Sequence, residues 1–193
     1  MNKNYLETIR AENGKIYHLQ YHQQRLDKAL NLKGIHKLCT LLLPPKKGFY
    51  RCRVVYNRDE INIEYIKYTK RQVHSLKIVY DDTILYDKKY ENRESLNTLF
   101  QKREDNDDIL IIKNNLVTDT SIANIAFYDG TIWVTPKKPL LEGTTRQRLL
   151  ESGKIIAKDI KVKEINSFKK LAIMNAMIDF AIIAEENIED IIC

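Results

Sequence analysis

The 193-residue chain has only three cysteines, Cys39, Cys52 and Cys193, and their spacing is not that of a metal site. An odd, scattered set also argues against a disulfide framework, so a reducing cytoplasm is the expected compartment. No apolar run is long enough to span a bilayer, and the charged start, MNKNYLETIRAENG, has no apolar stretch of the signal-peptide kind. Internal repeats and low-complexity segments are absent. Aromatic and basic residues are not interleaved in the way that stacks bases, which makes a nucleic-acid partner the weakest reading. Charge of one sign is not concentrated either. The formal net charge is +6, but Lys and Arg are spread in pairs along the chain. The one local cluster, Lys67 to Arg71, reads as a solvated linker ahead of a nucleic-acid patch. A modest basic excess also suits anionic small molecules.

What remains is a soluble, globular composition, 44% hydrophobic and 30% charged, with material for one sizeable core or two small lobes. Asn13-Gly14 lies between Tyr5 to Arg10 and Lys15 to Leu19, a hairpin signal because both turn residues tolerate positive φ. HLQYHQQRLDKALNL follows with helical spacing, placing Leu26, Ala29 and Leu30 on one face and His22 beside Arg25. Pro44-Pro45 breaks the chain after Leu38 to Leu43. Arg51 to Tyr56 and Ile61 to Ile66 alternate as a further hairpin. Thr69 to Val73 is polar and basic and reads as a linker, dividing a small lobe (1–73) from a larger one (74–193). In the larger lobe, Leu76 to Tyr80 and Ile109 to Ile112 are strand-like and Glu94 to Lys102 is helical. A strand near Ile160 to Val162, the run Leu171 to Met177 and an acidic C-terminal segment close the chain.

The stretch Asn115 to Arg146 organises this second part. Its polar turn, Thr118 to Ser121, leads into the β-type run Ile122 to Phe127. An Asp129-Gly130 turn joins that run to Thr131 to Thr135. Gly143-Thr144-Thr145-Arg146 then opens a helix, with Thr144 and Gln147 in capping-box relation and Ser152-Gly153 at its end. Glycine before a helix start lets an anion approach unpaired backbone N–H groups at the positive end of the helix dipole. The stretch can therefore present a carboxylate and a phosphate cradle.

These pieces, in order, resemble the class IV (fold-type IV) pyridoxal-phosphate enzymes. The resemblance rests on Leu6-Glu-Thr-Ile-Arg10, His22-x-x-Arg25-Leu26, Lys89-x-x-x-Arg93, Thr118-Asp-Thr-Ser-x-x-Asn124-Ile125 and Leu140-Leu-Glu-Gly-Thr-Thr-Arg146. It implies an α+β, two-lobed fold, with a small antiparallel lobe and a larger pseudo-barrel lobe. It also implies a homodimer with active sites at the lobe junction. The cofactor would be pyridoxal 5′-phosphate, with no metal. Lys89 would condense with the cofactor aldehyde and move protons at the substrate carbon. Lys88 would be a surface neighbour. Arg25, otherwise an ordinary solvated helix residue, would bind the phosphate through its fork of donors. The backbone amides of Thr144 and Thr145 would bind it too. Asp119 would hold the proton on the pyridine nitrogen; without the resemblance it reads as a turn residue. Asn124 reads as a tie for local loop backbone.

The chain departs from the family pattern in three places. Asp119 stands where most members have Glu. The first lobe is short between Leu30 and Arg51, so substrate contacts there do not carry over. Met174-Asn175-Ala176-Met177 is closer to the lyase pattern than to that of many aminotransferases, which makes Asn175 either a phosphate or substrate contact or a strand-end cap. The leading expectation is a lyase resembling 4-amino-4-deoxychorismate lyase, giving 4-aminobenzoate, a folate precursor, and pyruvate. The alternative is an aminotransferase of branched-chain or D-amino acids. A degenerate, non-catalytic binder is the third reading, suggested by the short first lobe.

Overall fold

A computed structural model describes residues 3–185 and 188–192. Cys193 lies outside the described residues; Cys39 is an exposed free thiol and Cys52 a buried one. The chain forms two compact units, Met1–Arg71 with Lys88–Asn92, and Gln72–Asp87 with Arg93–Cys193.

The first unit begins with strand β1 (Tyr5–Glu12), which turns into the short β2 (Lys15–Ile16). Asn13 and Gly14 at the turn both have positive φ, 48° and 77°, the conformation that matches the twist of a two-residue hairpin. Helix α1 (Leu19–Leu30) starts after His18 and stops at Asn31, both in the left-handed region. Its buried face is His22, Leu26, Ala29 and Leu30. The three apolar residues of that face share a core with Ile9 and Ala11 of β1. A one-turn helix α2 (Leu38–Leu41) follows, then β3 (Phe49–Tyr56) and β4 (Ile61–Lys67). The strands form an antiparallel sheet in the order β2-β1-β3-β4. Cys52, Val54 and Tyr56 complete the core on the helix side. The segment Lys88–Asn92 belongs to this unit because its backbone joins the start of β1. The Leu6 amide donates to the Lys89 carbonyl (2.8 Å), and Tyr5 bridges to Tyr90.

The second unit opens with β5 (Leu76–Tyr80), and α3 (Glu94–Phe100) precedes β6 (Asp108–Lys113), which pairs with β5 in parallel. Then come β7 (Leu116–Thr120), β8 (Asn124–Tyr128), β9 (Trp133–Pro136), α4 (Thr144–Glu151) and β10 (Ile155–Lys158). The sheet runs β10-β9-β8-β7-β6-β5, and β8 also pairs with β11 (Lys170–Asn175), which carries β12 (Asp179–Ala184). Strand β6 is almost wholly buried, Asp108 to Ile112 without a break, as expected of a strand covered on both faces. Its Leu110 and Ile112 pack with Val117, Ile125, Phe127, Val134, Leu171 and Ile173. The expected α+β architecture is thus observed. Among the described residues no helix is long and apolar enough to cross a membrane.

Three local expectations are corrected. Thr118, Asp119 and Thr120 are not a turn but the end of β7. Their polarity is satisfied internally: the Thr118 hydroxyl donates to the Ile111 carbonyl (2.7 Å), and Thr120 Oγ1 accepts from the Ala123 amide (3.1 Å). The reversal falls on Ser121 to Ala123, so the following strand begins at Asn124 and not at Ile122. At Asp129-Gly130 only the glycine has positive φ (108°). Asp129 instead accepts the amides of Thr131 and Ile132 (2.8 and 2.9 Å), so a side-chain-closed turn replaces the two-residue one.

Candidate functional site

Arg25 and Lys89 fall in the first unit; Asp119, Thr144, Thr145 and Asn175 fall in the second. Each set is assembled by its own unit.

In the first unit the centre is Glu7, which sequence reasoning passed over as a functional residue. It lies on the same side of β1 as Ile9 and Ala11 and has no solvent exposure. Arg25 holds it in a fork, Nε donating to Oε1 (2.7 Å) and Nη2 to Oε2 (2.6 Å), while His22 Nδ1 lies 2.6 Å from Oε2. Burial alone would raise the Glu7 pKa. The Arg25 charge and the donors from His22 and Arg25 reverse that and hold it at about 2, against an ordinary 4.5. Burial lowers the pKa of His22, with Arg25 and Lys89 adding to the effect against Glu7. His22 is therefore neutral at pH 7, and its Nδ1–H donates to the carboxylate. The consequence for Arg25 is orientation: Glu7 takes the Nε/Nη2 edge and fixes the plane of the guanidinium. The signal for this was the i, i+3 relation of His22 and Arg25 beside a glutamate in the buried phase of a strand.

The same unit separates the two lysines. Lys88 Nζ donates to the Ala29 carbonyl (2.9 Å) at the end of α1 and lies over the Tyr5 ring. Lys89, half-buried, is the one whose charge reaches His22.

In the second unit Asp119 is buried at the end of β7 and registers with Asn124. Its Oδ1 accepts from Asn124 Nδ2 (2.7 Å) and its Oδ2 from the Leu141 amide (2.9 Å). Burial raises its pKa to about 6, partly offset by these donors and by Arg146. Each carboxylate oxygen can accept more than one hydrogen bond, so both bonds leave acceptor capacity for a ring N–H. Asn124 also donates to the Leu141 carbonyl (2.8 Å), which makes it the expected loop tie. Gly143 permits this close approach: a Cβ there would collide with Asn124 Oδ1.

The loop so anchored delivers α4. Thr144 is not a capping residue as its spacing suggested. Gly143 is the N-cap, no side chain caps the helix, and Gln147 donates to Glu151 (3.0 Å). The first amides of α4 thus receive no bond from a capping side chain, and Thr144 and Thr145 are both buried. That is the donor set an oxyanion fits. Arg93, before α3, donates to the Ser121 carbonyl (2.7 Å) and holds the β7–β8 turn. Asn175 reaches the same turn: its Nδ2 donates to the Ile122 carbonyl (3.2 Å), and its Oδ1 accepts the amides of Met177 and Ile178 (2.9 and 3.0 Å). Its oxygen and one of its two N–H donors are thus bonded to local backbone, the strand-end cap of the two expected roles, and one N–H donor remains. No cluster of metal-ligating side chains occurs among the described residues.

Known proteins resemble this chain over much of its length. A family model described as amino-transferase class IV matches residues 90–185. An uncharacterized protein of Haemophilus influenzae is 38% identical over 180 residues, 89% of this chain and 96% of the relative. The solved structure of a candidate 4-amino-4-deoxychorismate lyase from Haemophilus somnus 129PT is 34% identical. It covers 92% of this chain and 97% of its own, with a TM-score of 0.82. A hypothetical aminotransferase from Mycobacterium tuberculosis, solved in its PLP-bound form, shares the fold at 15% identity. Its TM-score is 0.73, and the match covers 94% of this chain and 80% of that one.

Two outcomes follow from these geometries. Glu7 has a depressed pKa, so its contribution is present above pH 4.5 and is lost as pH falls toward about 2. Glu7→Gln should cost roughly 3 kcal/mol at pH 7 in urea unfolding. The gap between parent and variant should narrow from pH 4.5 downward; a gap constant from pH 7 to pH 3 would remove the ion pair from the account. Gly143→Ala should push Asn124 off its partners. It should cost about 1–3 kcal/mol and weaken binding of pyridoxal phosphate in an absorbance titration. Unchanged stability and affinity would show that the approach is not required.

Proposed function

Since the chain belongs to the class IV amino-transferase family, and is a PLP-dependent lyase or aminotransferase, we propose that it is a lyase converting 4-amino-4-deoxychorismate to 4-aminobenzoate and pyruvate. The observation that carries this is the 34% identity, across 97% of that chain, to the Haemophilus somnus protein described as a candidate lyase of this kind. The aminotransferase reading is favoured by the matching family model, and the fold is shared with a candidate amino-acid aminotransferase from Mesorhizobium loti. We place the protein, as a homodimer, in the cytoplasm. The free thiols of Cys39 and Cys52 accord with that compartment.

When bound, pyridoxal phosphate supplies an electron sink for the charge left at the substrate carbon. The phosphate would be held by Arg25 and by the amides of Thr144 and Thr145. Glu7 keeps the Arg25 fork in one orientation, so the ordering cost of a long side chain is met before ligand arrives. Asp119 would hold the ring-nitrogen proton, and a positive partner there lowers its raised pKa. Lys89 removes the proton from the amino-bearing carbon. The electrons of that C–H bond would become a C=C bond of the product as the C–O bond to the enolpyruvyl group breaks, and the proton carried by Lys89 would go to the departing group, giving pyruvate. Lys88, committed to the Ala29 carbonyl, takes no part.

The test is a product assay joined to a label. Borohydride should fix the cofactor covalently to the peptide containing Lys89, identified by mass spectrometry, and Lys89→Ala should abolish turnover. Incubation with aminodeoxychorismate should yield 4-aminobenzoate and pyruvate. If instead an amino acid and a 2-oxo acid exchange their amino group while aminodeoxychorismate is untouched, the protein is an aminotransferase. Label on Lys88 would overturn the assignment of the lysine.

A further inference from the structure

Apart from the residues assigned to the cofactor, the first unit carries a second concave site. It is a cavity of about 200 Å³ where the end of α1, the β3–β4 turn and the start of β1 meet. Three cations line it, Lys3, Arg58 and Lys88, and no carboxylate does. Asp59 and Glu60 follow Arg58 in the chain, yet neither belongs to the lining. Among the described residues none of the three cations is ion-paired. Aromatic rings hold two of them instead: Lys88 Nζ lies over Tyr5 and Lys3 Nζ over Tyr90, each at 5.4 Å. Tyr5 packs against Tyr56 and Tyr90, with ring centroids 5.8 and 5.7 Å apart. A ring face attracts a cation without neutralising it. Lys88 also donates to the Ala29 carbonyl (2.9 Å), which occupies one of its three N–H donors. The helix end there carries about half a negative charge, against three positive ones. Arg58 stands on a turn closed by Asn57, whose Oδ1 accepts the Asp59 and Glu60 amides (2.8 and 2.9 Å). A concave wall of one sign focuses its field inward.

We propose that this cavity binds a compact dianionic oxyanion, free phosphate or the phosphate of a small ester, at a site separate from the cofactor. Its volume lies below the roughly 300–1,000 Å³ of pockets for drug-sized ligands, so the occupant is small. Two ammonium groups supply point charges and Arg58 a fork of donors, the combination that phosphate oxygens take. Tyr5 and Leu30 give an apolar wall for the organic part of an ester. None of Arg25, Lys89, Asp119, Thr144, Thr145 and Asn175 lines the cavity. The site is therefore the same whether the enzyme is a lyase or an aminotransferase.

The probes are inorganic phosphate and phenyl phosphate, with phenol as the uncharged control. Each is titrated calorimetrically at pH 8, where a phosphate monoester is dianionic, and at low salt. The protein carries its cofactor fixed by borohydride, so that the cofactor's own phosphate site is already filled. At least one of the two phosphates should bind saturably, once per chain, and phenol should not. Tighter binding of phenyl phosphate assigns the site to an ester, and tighter binding of inorganic phosphate assigns it to the free ion. Arg58→Gln and Lys88→Gln should each weaken binding about tenfold, and added sodium chloride should weaken it in the parent. Arg58 is exposed on its turn, so Arg58→Gln should leave the cofactor's visible absorption and the basal turnover of the unreduced enzyme unchanged. Circular dichroism checks the fold of Lys88→Gln, and if that variant does not fold, Arg58→Gln decides. The absence of saturable binding overturns the proposal, as does a folded Arg58→Gln or Lys88→Gln that binds as tightly as the parent.

Discussion

Glu7 has no contact with solvent, and a charge so placed persists only if the protein replaces the water it has lost. Arg25 and His22 do so through three short contacts. Much of the first unit can be read as the means of bringing them there. The Asn13-Gly14 turn fixes the register of β1, and the strand's period sends Glu7 inward with Ile9 and Ala11. Helix α1 lays His22 and Arg25 across that face because Leu26, Ala29 and Leu30 bury beside them. Lys89 joins the same place through its own carbonyl, bonded to the Leu6 amide next to Glu7. The Arg25 guanidinium is thereby positioned by ordinary core packing.

Asp119 meets the same constraint in the second unit with a different outcome. Both residues are buried carboxylates, yet Glu7 is held at about 2 and Asp119 rises to about 6. The difference lies in the partners. Glu7 is forked by a full positive charge, whereas Asp119 is bonded by the neutral Asn124 amide and the Leu141 backbone, with Arg146 acting only as a nearby charge. Neutral donors satisfy geometry but only partly offset desolvation. The arrangement leaves Asp119 short of positive charge. It also ties the carboxylate to the loop that delivers α4, so Asn124 and Gly143 hold two parts of the second unit's site with one contact.

The elements with strong local grammar were legible in the chain: the Asn-Gly hairpin, the apolar face of α1, the alternating β3 and β4, the glycine before α4. What misled was polarity. Thr118 to Ser121 reads as a turn because four polar residues in a row avoid cores, yet three of them end a buried strand. Their hydroxyls and carboxylate find backbone partners that only the tertiary fold supplies. Thr144 and Gln147 have capping spacing, but packing against Asn124 makes Gly143 the helix boundary, and the threonine moves inside. Glu7 was hidden for the opposite reason. A charged residue in a half-buried strand is assigned to solvent by default, and its partners lie fifteen and eighteen positions away.

The charge excess takes on a different meaning once the ion pairs are placed. In the chain, +6 spread over pairs of Lys and Arg suggests only a solvated surface. In the structure the arginines are sorted: Arg10 with Glu12, Arg25 with Glu7, Arg53 with Glu91, Arg148 with Asp179. The three partly exposed pairs contribute little to stability, unlike the buried pair of Arg25 with Glu7, so for those three the sorting is better understood as setting where positive charge is met and where it is left over. On the outer face of the first unit's sheet, Arg51 is flanked by Arg10 and Arg53, two guanidiniums that already have carboxylates.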